Sequence, residues 1–333
     1  MRGLAALLLA SAAASVAAHE TALGSLRRFE AAPFPVPPIG IAGPPIPALR
    51  GTPGDPGIDL SGQFPTASRD QHDVGSCHTF TAVGLLEAAY YRRTGEHARF
   101  SEADLYLRYR LMTGSAYDAW VWMKKPELAE GGMVKGDIEA ALRYGVATTP
   151  QYEDFLERYR RYREAEQRTM ADIERRRALD PWYVRLLYDP RRHWQRLQQD
   201  PAAQRMLQDY LIGSDPALER EREENRRKLA GLSVDRRFYV TLPSSLDAPA
   251  DACRRDGKPS TDFVMSELRA GRPVGVSYFT DKKWGSHVLI IKGYRLDESG
   301  AVVFTTRNSW GASGNFDLQT SDMCKVHQVA SVR

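Results

Sequence analysis

Cysteine is scarce in this chain, and it is not arranged for metal binding. Only three cysteines occur among 333 residues, beside seven histidines, and none stands at the CxxC or HxxxH spacing typical of zinc sites. We therefore expect no metal and no other cofactor. If one cysteine is reserved for chemistry, a single intramolecular disulfide is possible. The sequence leaves open whether Cys253 and Cys324 form it.

Long apolar runs are also rare. The exception, Leu4 to Ala18, follows Arg2 and ends in Ser15-Val16-Ala17-Ala18, which gives it the basic start, apolar centre and small-residue end of a secretory signal peptide. The run is too short to span a membrane. We expect residues 1–18 to be a signal peptide and the mature chain to be secreted or periplasmic, without a membrane anchor.

Neither sign of charge dominates the chain. The formal net charge is +4, and the Arg- and Glu-rich stretch between residues 153 and 235 carries acids and bases in near balance. Such stretches are usually the solvated faces of amphipathic helices, so we expect no nucleic-acid partner. Residues 19–55 are rich in proline and cannot build a core. We interpret them as a linker or a short propeptide.

The residues that carry chemistry are separated widely along the chain. Cys77 opens an apolar-periodic stretch that ends at Thr94-Gly95 and predicts a helix, whose N-terminus favours a thiolate. His287 would accept the thiol proton, and the Asn308 side chain would orient that imidazole. The amide of Gln71 and the Cys77 backbone N–H would stabilise an oxyanion.

The order of these residues resembles that of the papain family of cysteine peptidases. The resemblance runs along most of the chain and identifies it as a divergent, bacterial-type member. It implies that Cys77, His287 and Asn308 form a catalytic triad and that Gln71 contributes to the oxyanion hole. The further matching positions are Glu87, Ser101-Glu102, Gly131-Gly132, Gly271-Arg272-Pro273-Val274 and Asn308-Ser309-Trp310-Gly311.

The resemblance also implies a set of substrate-binding residues. Gly131 and Gly132 would hold the substrate backbone by strand-like pairing, because glycine lets a peptide approach closely. Ser286 precedes the base and brings no charge to the second subsite. Trp310 would shield the hydrogen bond of the base from water.

Two positions beside the nucleophile depart from the family pattern. Val74 replaces a cysteine, and Ala129-Glu130 stand where its disulfide partner is expected, so both ends of that bridge are missing. His78 replaces an aromatic residue that packs behind the site. We interpret His78 as a packing residue, because its place on the helix directs it away from the thiol.

The distance from nucleophile to base exceeds that of the family. Cys77 and His287 lie 210 residues apart, against roughly 130–150 residues. The excess falls in residues 153–235, where four Asp-Pro pairs indicate helix starts after a longer helix over roughly 153–179. The apolar residues of this predicted insertion favour a small core or a seat on the protease. They are Trp182, Tyr183, Leu186, Leu187, Trp194, Leu197 and Leu211.

The predicted fold is α+β, a papain-like two-lobed fold with an inserted helical subdomain. Helices are expected over 77–94, 101–112 and 133–144, and strands over 273–279, 287–294 and 301–307, with a turn at Asp297-Glu298-Ser299-Gly300. The predicted division is 1–18 signal peptide, 19–55 Pro-rich segment, 56–152 helical lobe with the cysteine, 153–235 insertion, and 236–333 β-rich lobe with the histidine and asparagine.

The expected function is endopeptidase hydrolysis of protein or peptide substrates through a Cys77 acyl-enzyme. Two alternatives stay open. One is a papain-fold acyltransferase or deamidase, because the same constellation transfers acyl groups or attacks side-chain amides. The other is a catalytically idle binding homologue. The insertion is a possible docking site for a partner protein.

Overall fold

The structure is a computed structural model, and it describes residues 49–52, 54–65, 67–112, 132–148, 151–179, 201–213, 215–238, 258–279 and 286–333. The predicted signal peptide and the Pro-rich segment as far as residue 48 lie outside these residues. So do Gly131 and six of the seven apolar residues singled out in the predicted insertion, all except Leu211.

Seven α-helices stand in the described part of the chain, and four of them begin and end close to the predicted positions. In chain order they are α1 Cys77–Thr94, α2 Glu102–Met112, α3 Val134–Tyr144, α4 Tyr152–Leu179, α5 Pro201–Ile212, α6 Pro216–Leu229 and α7 Lys258–Arg269. Helix α1 ends as the sequence predicts, because Gly95 takes a left-handed conformation (φ 74°) and its N–H bonds to the Tyr91 carbonyl.

The described strands form one antiparallel sheet. They are β1 Ile58–Asp59, β2 Val234–Phe238, β3 Val274–Phe279, β4 Ser286–Leu296, β5 Val302–Arg307, β6 Leu318–Gln319 and β7 Val326–Val332. The strand order is β2-β7-β3-β4-β5-β6, and β1 pairs with β4. The predicted hairpin joins β4 to β5 through a turn in which Gly300 N–H bonds to the Asp297 carbonyl. The α+β class is thereby confirmed.

Strand β4 contributes to two apolar cores because its side chains alternate between the faces of the sheet. Val288 and Ile290 pack with α1, α2 and α3 on one face. Leu289 and Ile291 pack with α7 on the other. Helix α1 is largely enclosed, with Phe80, Val83, Leu86 and Tyr90 all buried as their periodicity predicts.

The helices of region 153–235 pack against α1 and α2. Leu211 belongs to a third core with Phe80, Tyr106 and Phe155, which favours the interpretation of a seat on the main body over that of a separate core. Helix α6 begins at the predicted Asp-Pro signal, where the Asp215 side chain accepts a hydrogen bond from Ala217 N–H. The domain boundaries themselves remain predictions.

A buried ion pair ties α6 to α2. Arg222 is 1% exposed and Asp104 is fully buried, and the guanidinium Nε donates to Asp104 Oδ1 at 3.0 Å. Asp104 Oδ2 also accepts from Ala147 N–H at 2.8 Å. Because removal of one partner leaves an uncompensated buried charge, this pair fixes α6 on the helical half of the molecule.

Three sequence expectations concern features of the whole chain. Within the described residues, no helix combines the length and apolarity needed to cross a membrane, and no group of three or more potential ligands is arranged to hold a metal. Cys324 is disulfide-bonded, whereas Cys77 is a free thiol. Cys253, the only partner that the composition leaves for Cys324, lies outside the described residues.

Candidate active site

Cys77 is the first residue of α1 and lies in contact with the helix–sheet core. Enclosure of the thiol raises its pKa to about 11, because burial disfavours the anion and the Asp137 carboxylate adds to the effect. Backbone N–H groups, among them those of Val288 and His78, act in the opposite direction. The expectation of a stabilised thiolate is therefore wrong for this structure, because desolvation outweighs the helix N-terminus.

His287 and Asn308 are joined by a hydrogen bond whose direction can be deduced. His287 Nε2 lies 2.8 Å from Asn308 Oδ1. The Asn308 amide is oriented unambiguously, because its Nδ2 donates to the Gly314 carbonyl at 2.9 Å and its Oδ1 accepts from Ser309 N–H at 2.8 Å. An amide oxygen can only accept, so His287 must carry its proton on Nε2. Nδ1 is thereby the basic nitrogen.

Aromatic rings enclose the imidazole of His287. Trp310 stacks on it at a centroid distance of 4.2 Å and an angle of 15°. Tyr278, its partner across the β3–β4 pair, contacts it edge-on at 5.8 Å. Burial lowers the pKa of His287 to about 4, against the opposing effect of the Asn308 hydrogen bond. The ring is therefore neutral at pH 7.

Gln71 is buried and held on both sides of its amide. Its Nε2 donates one N–H to the Val74 carbonyl at 2.8 Å, and its Oε1 accepts from the Ser309 hydroxyl. The Gln71 backbone N–H donates to the Ser309 carbonyl at 2.7 Å. These bonds leave the second N–H of Nε2 for another acceptor and connect Gln71 directly to the residue after Asn308.

The loop from Gln71 to Cys77 is braced from outside by α4. Tyr152 donates to the Gln71 carbonyl at 3.1 Å and lies 2.9 Å from the Ser76 hydroxyl. Arg160, two turns further along the helix, donates to Asp73 at 3.0 Å. His72 in this loop has a positive φ of 54°, a conformation that L-residues rarely adopt. The loop is thus held in a specific shape by contacts with a neighbouring helix.

A buried charge cluster holds the chain just before this loop. The Arg69 guanidinium lies 2.8 Å from Glu87 and 2.6 Å from Glu102. Burial raises the pKa of Glu102 to about 7, against the attraction of Arg69, and the neighbouring Glu87 adds to the rise. Glu87 also accepts from Phe100 N–H at 3.0 Å. These contacts give a structural reason for two acids that the family resemblance singled out.

The thiol and the imidazole lie on elements that pack together. Helix α1 packs on β4 through the core that contains Val288, and the Val288 N–H acts on the Cys77 thiol. Among the hydrogen bonds of the described residues, none joins Cys77 Sγ to His287. Catalytic hydrogen bonds are often long in free enzymes and tighten with substrate.

The remaining predicted site residues have separate surroundings. Gly131 lies outside the described residues, and Gly132 lies against the His78 ring. Ser286 is exposed, and its hydroxyl lies 2.8 Å from His327 Nε2. The sequence reasoning missed His327, and it missed Ser309 as a partner of Gln71. His327 lies in no motif. Ser309 lies inside the Asn308-Ser309-Trp310-Gly311 motif, but nothing in that motif indicates that it bonds to Gln71.

Comparison with known proteins gives distant likenesses only. No protein family profile matches the chain, and no curated protein matches it. Similar solved structures include one from work on the mite allergens Blo t 1 and Der p 1, with 14% identity over 88% of this chain and 75% of that chain and a TM-score of 0.45. Another is bromelain from Ananas comosus in complex with the inhibitor E64, with 13% identity over 82% and 96% and a TM-score of 0.41.

A third similar structure is PepW from Lactobacillus rhamnosis HN001. It has 13% identity over 83% of this chain and 81% of that chain and a TM-score of 0.48. Similarity at this level does not assign a function, so the function has to be inferred from the residues of the site.

Proposed function

We propose that this protein is a papain-like cysteine endopeptidase with Cys77 as nucleophile. The observation that carries the proposal is the hydrogen bond between His287 Nε2 and Asn308 Oδ1, covered by Trp310. It leaves a neutral imidazole with a basic Nδ1 on a strand packed against the helix that begins at Cys77. A free thiol, a base of defined tautomer and an orienting amide are the parts that thiol acyl transfer requires.

The proposed reaction starts from a neutral thiol and a neutral imidazole. His287 Nδ1 takes the Cys77 proton as the sulfur attacks the substrate carbonyl, and Asn308 stabilises the imidazolium by accepting from Nε2–H. The second N–H of Gln71 and the Cys77 backbone N–H donate to the oxyanion. The imidazolium then protonates the leaving amine, and water deprotonated by His287 releases the acyl group.

Protein or peptide substrates follow from the same proposal. Gly131 and Gly132 would hold the substrate backbone, and Ser286 would line the subsite beside the base without adding charge. Export of the mature chain is proposed with it, from the predicted signal peptide. N-terminal sequencing of protein recovered from the producing cells tests the export proposal, and a mature chain that still begins at Met1 would contradict it.

The test of the function compares Cys77→Ala and His287→Ala with His97→Ala. His97 is an exposed histidine beyond the end of α1, where it stacks on Tyr91, about 20 Å from the Cys77 end by helix length. Casein digestion and labelling by an epoxide of the E-64 type should be lost with Cys77→Ala and reduced at least 100-fold with His287→Ala. His97→Ala should behave like the wild type.

Three outcomes separate the proposal from its alternatives. Casein digestion together with Cys77 labelling supports the endopeptidase. Labelling without cleavage, accompanied by amide transfer or ammonia release from glutamine-containing peptides, indicates an acyltransferase or deamidase. A wild-type protein that labels no faster than an exposed surface thiol is an idle homologue.

A further inference from the structure

His78 is a buried residue with a specific partner. It is fully buried, as is Asp137 on α3, and its Nδ1 lies 2.5 Å from Asp137 Oδ2. The other carboxylate oxygen accepts from the Thr79 hydroxyl at 2.9 Å. A buried carboxylate without hydrogen bonds is costly, so these bonds hold the imidazole in one orientation.

Aromatic contacts restrict the ring further. The His78 imidazole lies 5.3 Å from the Tyr109 ring and 6.0 Å from the Tyr106 ring. The Tyr109 hydroxyl accepts from Met133 N–H at 3.3 Å, which also anchors the backbone next to Gly132. His78 Nε2 has no hydrogen-bond partner in the described part of the chain. On that side the ring therefore makes only van der Waals contacts.

The side chain of His78 occupies the space that a residue larger than glycine would need at position 132. A Cβ built on Gly132 would lie 2.5 to 2.8 Å from three atoms of the imidazole. Real Cβ contacts are essentially never that short, and the hydrogen bond between Nδ1 and Asp137 opposes movement of the ring. The family resemblance implies that this glycine lets a substrate approach, and the structure adds the imidazole behind it.

We propose that His78 is a positioning residue of the active site: held by Asp137, its ring sets the distance between the Cys77 end of α1 and the backbone of Gly132. This role rests on the proposed peptidase function, in which Gly132 pairs with the substrate. Cys77 and His78 are adjacent in sequence, so the connection from thiol to peptide-binding backbone is one residue long. An error of about 1 Å in such a distance costs about 100-fold in rate.

A double-mutant cycle tests the role directly. The variants are His78→Asn, which keeps an amide donor for Asp137 and removes the outer ring atoms, Gly132→Ala, and the two combined. Gly62→Ala is the matched control, because a Cβ there meets nothing within 4 Å. Each variant is assayed for kcat/KM on an extended fluorogenic peptide. The rate of Cys77 alkylation by iodoacetamide, which has no peptide chain to pair with Gly132, is measured in parallel.

The role predicts losses that are specific and coupled. Each single variant should lose about 10-fold to 100-fold in kcat/KM, while the alkylation rate changes less than about twofold. The combined variant should be more active than Gly132→Ala alone, because two of the three ring atoms that the new Cβ would meet, Cε1 and Nε2, are gone. Gly62→Ala should match the wild type in both assays.

Three results would overturn the role. They are independent losses that multiply in the combined variant, a fall in alkylation parallel to that in kcat/KM, and an unaffected Gly132→Ala. If His78→Asn does not fold, the last two criteria still decide from Gly132→Ala alone. A wild-type protein that neither cleaves peptides nor takes the epoxide refutes the proposed function, whereas an active wild type with independent losses refutes only the role of His78.

Discussion

Removal of the indole that covers the base should move the acid limb of the pH–activity profile. Burial lowers the pKa of His287 from 6.5 to about 4, which corresponds to about 3 kcal/mol against the charged ring. Trp310 covers one of the two ring faces at 4.2 Å. Trp310→Ala admits water to that face, so about half of the shift, roughly one pKa unit, should be recovered.

The sign follows from the role of the imidazole as a base. Only the neutral form accepts the thiol proton, so kcat/KM falls as the pH drops through the pKa of the free enzyme. The wild-type limb should lie near pH 4, and that of Trp310→Ala near pH 5. Trp310→Phe keeps an apolar cover and should move the limb by less than half as much.

The assay is kcat/KM on a fluorogenic peptide between pH 3 and 9, with circular dichroism at each pH to confirm that the protein stays folded. Burial also lowers the pKa of His327 to about 4, so His327→Gln serves as a control and should leave the limb in place. A limb that stays at pH 4 in folded Trp310→Ala, or that disappears in His327→Gln, would refute this account of His287.

Two further predictions concern stability. Burial alone would raise the pKa of Glu267, but hydrogen bonds led by that from Arg272 lower it to about 2. Its stabilisation is present above pH 4.5 and is lost as the pH falls from 4.5 to 2, so Glu267→Gln should cost about 2 kcal/mol at pH 7 and little at pH 2.5 in urea titrations; an equal loss at both pH values would contradict it. Arg222→Met strands the buried Asp104 charge and should cost about 3 to 5 kcal/mol, whereas adding Asp104→Asn, which removes the charge and keeps an acceptor for Ala147 N–H, should restore most of it. Thermal unfolding in which the double variant is no more stable than the single one would exclude that explanation.

The elements that hold Cys77, His287 and Asn308 could be predicted because their signals are local. Helix α1 shows apolar periodicity with a glycine stop, and the β4–β5 hairpin shows short β-branched runs around a turn. Strand β2 could not be predicted in the same way. Its sequence, Val-Asp-Arg-Arg-Phe over 234–238, has three charged residues in a row and no alternation of apolar and polar residues. The segment is a strand because its backbone pairs with β7.

The surroundings of the candidate site residues were harder to predict than the helix and strands that carry them. A helix N-terminus favours a thiolate, yet the pKa of Cys77 depends on how deeply the thiol is enclosed, and enclosure has no sequence signature. The partner of His78 was missed for a related reason. Asp137 lies 59 residues further along the chain, on a different helix, so no spacing rule connects them.

The short ladder between residues 69–71 and 309–311 has a consequence for local opening. Gln71 N–H donates to the Ser309 carbonyl, and Gly311 N–H donates to the Arg69 carbonyl. Between them, Asp70 and Trp310 form an antiparallel β-bridge. Because these segments hold each other, neither the loop before the nucleophile nor the cover over the base can fray alone. The amides of Gln71 and Gly311 should therefore exchange their hydrogens with solvent at one common protection factor. Gln71, the proposed oxyanion donor, and Trp310, the proposed shield of the base, would then be gained and lost as a single unit.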